Sequence, residues 1–307
     1  MKRLLAAGIV LTLATGACFL FVRARPLAAH DAAVRWMLRF SGVRTRRLGG
    51  LEVLVRDTRL PGLPDRCVAL VHGLGDSSLT WRRLLWDEKG WKVPYGTLLA
   101  APDMPGTEGS APPAAPEDYS IPSQARVLRS VLEPMCPRWT VVGNSLGGWT
   151  AAWLALQWPE GVERLVLLSP AGMDDPTGTS ARSAAELAEP TEAIAQAFYR
   201  KARHAAPPLP RAIWPEMVRR LRERPSKLIV DAIKKEHLLD GRLKALKMPA
   251  AVLWGASDGV IPPSQAARFG AGLPQAAVTT VPACGHLEQL ECPGPVRAAV
   301  FASGPIQ

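Results

Sequence analysis

The chain has 307 residues, of which 48% are hydrophobic and 21% are charged. This length and balance allow a sizeable buried core, so the composition excludes a disordered or fibrous protein. The formal net charge is +10, but the excess lies in two regions: nine basic residues against one acidic residue in residues 1–50, and 15 against eight in residues 176–247. Neither region carries a nucleic-acid-binding motif, so a membrane surface is the better candidate partner and nucleic acid is not expected.

Residues 4–22 form a run of 19 residues without a charged side chain, bounded on both sides by basic residues. A spanning helix needs about 20 apolar residues, whereas the apolar region of a cleaved signal peptide has about 7–15. The length therefore favours a retained membrane anchor over residues 1–25. The alternatives are a signal peptide cut near Thr15–Ala17, which would release a periplasmic or secreted protein, and a lipoprotein acylated at Cys18.

Further along the chain, short apolar runs alternate with amphipathic stretches. The basic segment Arg25–Arg47 is expected to be a linker, and Gly49-Gly50 separates two alternating stretches, as in a hairpin. Continuous apolar runs are typical of parallel strands buried on both faces. The predicted strands are Cys67–Val71, Thr97–Ala101, Trp139–Val142, Arg164–Leu168, Ala250–Trp254 and Ala277–Val281. The predicted helices run from Ser77 or Ser78 through Leu85, over Ile121–Leu132, up to Trp158 and over Val296–Ala302.

This alternation predicts an α/β fold with a mostly parallel sheet flanked by helices. Residues 172–247 read instead as helices broken by prolines, which indicates a helical cap inserted after one of the strands. The predicted plan is therefore an N-terminal segment (1–25), a first part of the core (26–171), the cap (172–247) and a second part of the core (248–307).

A G-x-S-x-G pattern at Gly143–Gly147 points to chemistry. A strand precedes it directly and a helix follows directly, which is the context of a nucleophile elbow. The pattern predicts Ser145 as the nucleophile and the Leu146 N–H as one oxyanion donor. The second donor is expected from Leu74, in the glycine-rich loop after the strand Cys67–Val71.

A serine hydroxyl needs a base that takes its proton. Among five histidines, His286 follows the final predicted strand, where such a base is required. The others are expected to lie in the linker, to shape a turn, or to be solvated on the surface of the cap; they are His30, His72, and His204 with His237, respectively.

The base in turn needs a carboxylate that fixes its tautomer. Asp258 follows the strand before the last one, which gives the chain order Ser145, Asp258, His286. The rival acids are Asp174 and Asp175, which follow the strand after the elbow and are expected to begin the cap.

Five cysteines (Cys18, Cys67, Cys136, Cys284 and Cys292) are too few and too widely spaced for a disulfide framework, and no paired spacing suggests zinc. Cys284 and Cys292 could pair in an oxidising compartment, but two separate buried thiols are the favoured interpretation.

From about residue 45 to its end the chain resembles the α/β-hydrolase superfamily of serine hydrolases. A closer likeness is to membrane-anchored monoacylglycerol lipases and related bacterial lipases and esterases. The resemblance rests on His72–Gly75 with Trp81, Asp103–Gly109, Tyr119–Ile121, Gly143–Gly148, Ser169–Gly172, Trp254-Gly255 with Asp258, and Cys284–His286.

The resemblance implies the α/β-hydrolase fold and hydrolysis of a carboxylic ester, acylglycerol or another lipid ester, without a metal or organic cofactor. It leaves open a carbon–carbon bond hydrolase, a cofactor-free haloperoxidase or an inactive scaffold of the same fold. The cap is expected to roof the site, either as an ordinary lid with a solvated basic face or with that face resting on anionic headgroups.

Overall fold

Eight strands form one sheet at the centre of the molecule. The computed structural model describes residues 23–60, 66–88 and 90–302. The strands are β1 (Arg44–Leu48), β2 (Leu51–Asp57), β3 (Arg66–Val71), β4 (Thr97–Pro102), β5 (Trp139–Asn144), β6 (Val162–Leu168), β7 (Ala250–Gly255) and β8 (Ala276–Val281). They lie in the order β1-β2-β4-β3-β5-β6-β7-β8; β2 is antiparallel to β1 and β4, and the other neighbours are parallel. The predicted mostly parallel α/β sheet is confirmed.

Helices cover both faces of the sheet, so consecutive strand residues are apolar and buried. In β5, Val141 belongs to one core cluster with Leu128 and Phe269, while Val142 belongs to the opposite cluster with Leu84 and Val296. The helices are α1 (Pro26–Phe40), α2 (Arg82–Leu85), α3 (Ile121–Leu132), α4 (Leu146–Gln157), α5 (Thr179–Ala188), α6 (Glu192–Lys201), α7 (Ile213–Glu223), α8 (Ser226–Asp231), α9 (Gln265–Gly272), α10 (Glu288–Glu291) and α11 (Pro293–Phe301). In the described ranges, 3-10 turns accompany them at Ser78–Trp81, Pro116–Tyr119, Lys235–His237 and Leu243–Ala245.

The segment that was expected to be a linker is ordered, and that expectation is wrong. Residues 26–40 form α1, which begins with a proline at a position where its missing N–H costs nothing. Val34 and Leu38, four residues apart, are buried on one face of this helix and join the core under β2. The predicted hairpin is confirmed: Gly49 and Gly50, both with positive φ (53° and 83°), form the two-residue turn between β1 and β2.

Four cysteines form two disulfides, which corrects the expectation of separate thiols. Cys67 at the start of β3 bonds to Cys136, just before β5 (S–S 2.02 Å). Because β3 and β5 are neighbours in the sheet, residues 69 positions apart in sequence approach to a Cα–Cα distance of 6.5 Å. Cys284 bonds to Cys292 (S–S 2.13 Å), which closes the short segment containing His286 and α10.

Helices α5–α8 lie between β6 and β7, where the insertion was expected. One of them is tied to α1: Glu216 of α7 is buried, and its carboxylate accepts hydrogen bonds from the N–H groups of Leu27 (2.7 Å) and Ala28 (3.0 Å). Asp31 of α1 also pairs with Arg220 of α7 at 2.5 Å. Helix α1 is therefore part of the same assembly as the inserted helices.

The predicted apolar anchor run, residues 4–22, lies outside the described residues. Within the ranges that the structure does describe, no helix combines the length and apolarity needed to cross a bilayer.

Candidate active site

Ser145 occupies a sharp turn between β5 and α4. Its backbone has φ 57° and ψ −122°, a conformation that costs energy for any residue with a Cβ. A backbone hydrogen bond to the neighbouring strand holds the turn, because the Ser145 N–H donates to the carbonyl oxygen of Leu168 at the end of β6 at 2.9 Å. A serine at such a turn presents its hydroxyl beyond the carboxyl edge of the sheet.

The two glycines of the pattern are required by close backbone contacts. A Cβ on Gly143 would lie 2.2 Å from the carbonyl oxygen of Gly147. A Cβ on Gly147 would lie 2.2 Å from the carbonyl oxygen of Val71 in β3. Helix α4 therefore approaches the strand ends closely because these positions lack side chains.

His286 and Asp258 form a buried pair. Nδ1 of His286 lies 2.7 Å from Oδ2 of Asp258, and the two side chains are 3% and 0% exposed. Oδ1 of Asp258 accepts hydrogen bonds from the N–H groups of Val260 (2.8 Å) and Ile261 (3.0 Å). Because backbone donors hold Oδ1, Oδ2 stays directed at the imidazole and accepts the Nδ1 proton. This tautomer leaves Nε2 as the nitrogen that can take up a proton.

The rival acids make other contacts. Burial disfavours the charged form of Asp175, but hydrogen bonds from the N–H and hydroxyl of Ser180 and from Thr177 outweigh it and lower the pKa of Asp175 to about 2. These bonds lie at the beginning of α5. The Asp174 N–H donates to Asp240 at 2.8 Å. In the described part of the chain no hydrogen bond joins either acid to His286, so the geometry favours Asp258 as the partner of the histidine.

The loop after β3 packs directly on the serine turn. A Cβ on Gly73 would lie 3.2 Å from the Cβ of Ser145, closer than an ordinary van der Waals contact, so a glycine suits this close approach. Nε2 of His72 accepts a hydrogen bond from the Met104 N–H at 3.0 Å, so Nδ1 carries the proton and donates to the Gly73 carbonyl at 2.9 Å. Burial lowers the pKa of His72 and keeps the ring neutral. These contacts agree with a turn-shaping role for His72, and they hold the backbone that leads into Leu74.

Ser145, Leu146, Leu74 and His286 line one cavity of about 640 Å³. The inserted helices and α1 form its other walls, and most of the side chains that they contribute to the cavity are apolar. Those side chains include Leu27, Leu187, Phe198, Met217, Leu221 and Ile233. The cavity can therefore hold an apolar chain against the serine hydroxyl and the imidazole.

Two histidines in residues 172–247 differ from each other. His204 is exposed, as expected, with Nδ1 2.8 Å from Oγ of Ser257. His237 is buried, which corrects the expectation of a solvated side chain. Its carbonyl oxygen accepts hydrogen bonds from the indoles of Trp149 (2.8 Å) and Trp153 (2.6 Å), and these bonds hold it against α4.

Sequence reasoning missed two parts of this site, helix α1 and the side chain of Glu288. Leu27 and Asp31 of α1 reach the cavity wall, although the segment resembles a basic linker. Glu288, two residues after His286, is fully buried behind the paired side chains. Its place two residues after the histidine is the one signal that the sequence offers, because a glutamate is ordinarily expected at the surface.

Residues 67–293 match the family model of the alpha/beta hydrolase fold. This match covers well over half of the chain, and together with the strand order and the serine turn it defines the class: the protein belongs to the alpha/beta hydrolase family.

The chain is similar to known proteins over different shares of its length. An uncharacterized protein of Mycobacterium tuberculosis (strain ATCC 25618 / H37Rv) is 37% identical over 107 residues, which are 34% of this chain and 29% of that protein. The match thus spans less than a third of that relative. A 2-hydroxy-6-oxononadienedioate/2-hydroxy-6-oxononatrienedioate hydrolase of Paraburkholderia phymatum is 27% identical, with 79% of this chain and 88% of that protein covered. The crystal structure of a bacterial membrane phospholipase A has a TM-score of 0.75 at 24% identity and covers 96% of each chain.

Proposed function

We propose that the protein is a serine hydrolase that cleaves carboxylic esters of lipids through an acyl-enzyme. The observation that carries this proposal is that Ser145 and His286, the latter paired with Asp258, line one largely apolar cavity. Ser145 is the nucleophile, His286 the general base and acid, and Asp258 the residue that orients the imidazole. The N–H groups of Leu74 and Leu146 stabilise the oxyanion.

The reaction follows from these positions. Oγ of Ser145 attacks the ester carbonyl while Nε2 of His286 takes the hydroxyl proton. The negative charge that develops on the carbonyl oxygen is stabilised by the two N–H groups, and each such donor is worth about 10²–10³ in rate. The carbon–oxygen bond to the alcohol then breaks, and His286 returns the proton to the leaving oxygen. A water molecule activated by the same imidazole hydrolyses the acyl-enzyme.

The lining of the cavity supports a lipid acyl chain as the substrate. Its walls combine apolar side chains from the inserted helices with Leu27 of α1. Helix α1 begins four residues after the end of the uncharged run 4–22. We therefore propose that residues 1–25 anchor the protein in a membrane, with the cavity close to its surface; periplasmic release after signal cleavage and lipidation at Cys18 are the alternatives.

The basic residues of the cap should attract an anionic membrane surface less strongly than their number suggests. Six of the 15 pair with acidic side chains of the protein itself: Lys201, Arg203, Arg219, Arg220, Arg224 and Lys227. A paired cation attracts an anionic headgroup less strongly than an unpaired one. We propose that this face still adds to membrane binding, with the anchor as the larger contributor.

A second candidate is hydrolysis of a carbon–carbon bond, because the relative from Paraburkholderia phymatum matches over most of its length. The name of that enzyme describes a substrate with two carboxylates, which needs cations in the binding cavity. Arg82 and Arg203 line the cavity described here. A substrate of that class would therefore depend on these arginines, whereas an uncharged acyl ester would not.

A comparison of substrates tests the proposal. The purified protein would be given p-nitrophenyl esters of graded chain length, mono-, di- and triacylglycerols, and a 2-hydroxy-6-oxo-dienedioate. We expect ester hydrolysis that increases with acyl length, and labelling by a fluorophosphonate that Ser145→Ala abolishes. Turnover of the dienedioate without turnover of any ester, lost in Arg82→Ala, would instead establish the second candidate. A wild-type protein that neither labels nor hydrolyses any substrate would overturn both.

A further inference from the structure

Glu288 is a carboxyl group buried behind the His286–Asp258 pair, and the proposed reaction does not use it. It is the first residue of α10 and has no exposed surface. Its Oε1 accepts hydrogen bonds from the Ser169 hydroxyl at 2.5 Å and from the Gly255 N–H at 3.2 Å. Its Oε2 lies 3.3 Å from Nδ2 of Asn144. One side chain therefore contacts the carboxyl ends of three neighbouring strands.

Two of these three partners belong to segments that carry a proposed catalytic residue, and the third directly follows the strand between them. Asn144 directly precedes Ser145, and Gly255 ends β7, three residues before Asp258. Ser169 follows β6 with a positive φ of 39°, and its N–H donates to Leu253 of β7. Glu288 itself follows His286 by two residues. The contacts thus connect the segments of the nucleophile, the base and the acid.

The side chain of Asn144 strengthens this connection. Its Nδ2 donates to the carbonyl oxygen of His286 at 2.9 Å, and its Oδ1 accepts a hydrogen bond from Gln289 at 3.3 Å. Gln289 also donates to the Thr80 hydroxyl at 2.9 Å. Three residues of the segment 286–289 therefore contact the side chain next to the proposed nucleophile.

Close backbone packing shows how little freedom this segment has. A Cβ on Gly255 would lie 2.0 Å from the carbonyl oxygen of Gly285. The end of β7 and the segment before His286 therefore touch through main-chain atoms. The hydrogen bond from the Gly255 N–H to Glu288 lies beside this contact. The buried carboxyl therefore links the end of β7 to the segment that follows His286.

We propose that Glu288 is a positioning residue, which ties the His286 segment to the ends of β5, β6 and β7 and so keeps the imidazole aligned between Ser145 and Asp258. This inference rests on the serine-hydrolase function proposed above. Glu288 touches neither the substrate nor the reacting atoms, and it acts through the backbone of residues 286–289 and through Asn144.

The electrostatic surroundings of the carboxyl agree with this role. Burial and the nearby Asp258 carboxylate raise the pKa of Glu288 well above its usual range. Both effects oppose a second negative charge behind Asp258. Glutamine is neutral and has the same shape, and its carbonyl oxygen can keep the two Oε1 contacts. In Glu288→Gln only the longer contact with Asn144 is lost, because the amide NH2 of the new glutamine would face Nδ2 of Asn144 and both groups are donors.

The test uses three variants, Glu288→Gln, Glu288→Ala and Ser169→Ala, in the full chain. The rate of fluorophosphonate labelling reports the reactivity of Ser145 directly, and kcat and KM are measured for a short-chain ester. We expect Glu288→Ala to lower kcat and the labelling rate by about 10–100-fold, since small misplacements of a catalytic group have effects of this size. KM should stay within about twofold, because the acyl cavity is unchanged. Glu288→Gln should retain activity within about threefold, and Ser169→Ala should fall between the two.

Leu132→Ala is the control for a general loss of stability. Leu132 is fully buried at the end of α3, and its carbonyl oxygen accepts a hydrogen bond from the indole of Trp139 at the start of β5, the strand end opposite Ser145. This variant should lower the unfolding temperature while it keeps the kcat of the folded protein. Glu288→Ala should lower kcat even at temperatures where its circular dichroism spectrum equals that of the wild type.

Two results would overturn the inference. One is a folded Glu288→Ala with wild-type kcat and labelling rate; the other is a Glu288→Gln as impaired as Glu288→Ala at equal stability. If Glu288→Ala does not fold, Ser169→Ala and Glu288→Gln decide, since a wild-type labelling rate in Ser169→Ala together with an impaired Glu288→Gln contradicts the proposal. A wild-type protein that resists the label would instead refute the serine-hydrolase function itself.

Discussion

The carboxyl edge of the sheet and the helical cap meet at the same cavity, but they are held in different ways. At the sheet edge, Ser145 donates through its backbone to β6, and Asp258 accepts from two backbone N–H groups. The cap is tied to α1 and to the core by ion pairs between side chains, such as Arg220 with Asp31 and Arg224 with Glu108. Main-chain hydrogen bonds hold the proposed reacting groups. The roof also receives main-chain bonds, from His286 to Ala202 and from Gly259 to Lys201, but partly exposed ion pairs add to them.

This difference separates chemistry from access. Buried main-chain bonds are insensitive to salt, while partly exposed ion pairs weaken as ionic strength rises. We therefore expect changes at the sheet edge to act on kcat, and changes in the cap or α1 to act on the entry of long or membrane-bound substrates.

The largest effect is expected at Ser145 and His286. Ser145→Ala and His286→Ala should each lower kcat by about 10⁶-fold, because residues that act as a unit cannot replace one another. Single-turnover ester hydrolysis and fluorophosphonate labelling measure the loss. An acyl-enzyme that still accumulates in Ser145→Ala would show that another residue is the nucleophile.

The next effect compares two acids near the sheet edge. Asp258→Asn should lower kcat by about 10⁴-fold, because the amide favours the wrong tautomer of His286. Asp174→Asn should leave kcat nearly unchanged, since its backbone N–H, rather than its carboxylate, makes the contact with Asp240. Steady-state kinetics of both variants decide the matter; a crippled Asp174→Asn beside an active Asp258→Asn would transfer the role to Asp174.

A smaller effect concerns residues 1–25. Removing them should spare the hydrolysis of a soluble short-chain ester but lower turnover of monoacylglycerol in anionic vesicles by on the order of tenfold, because a strong membrane attachment is lost. Salt should lower the remaining vesicle activity further, since only the basic face of the cap is then left to bind headgroups. Equal, salt-independent vesicle activity of both forms would contradict the anchor and leave the cap as an ordinary lid.

The smallest effect should follow the loss of one ion pair between the cap and α1. Arg220→Gln removes the contact with Asp31 and should change KM for a long-chain ester by about two- to fivefold, as expected for a partly exposed pair. Arg211→Gln, an exposed arginine of the same segment, serves as the control. A change in kcat for a short-chain ester would break the separation of chemistry from access.

The sequence predicts the fold well where local pattern determines structure. The runs Cys67–Val71 and Ala250–Trp254 are apolar throughout because helices cover both sheet faces, and each is a strand. The G-x-S-x-G pattern predicts the turn at Ser145 because close backbone contacts exclude side chains at Gly143 and Gly147.

The features that the sequence did not reveal depend on contacts between distant segments. Only two residues of α1, Val34 and Leu38, are buried, and arginines lie beside them in the sequence. The apolar stripe of this helix is therefore too narrow to recognise. Glu288 is buried because Ser169 and Gly255 meet it, and neither is near it in sequence. Likewise, no spacing rule could pair Cys67 with Cys136, since their proximity follows from the strand order.

The two disulfides make the full stability of the chain depend on oxidation. In the unfolded chain they would close loops with sequence separations of 69 and 8 residues. On loop-closure entropy alone these constraints are worth about 4 and about 2.5 kcal/mol, which together approach the whole net stability of an ordinary domain. Under reducing conditions the chain lacks this contribution and is easier to unfold. Under oxidising conditions the bonds lock the fold, and the second one also closes the segment that bears His286.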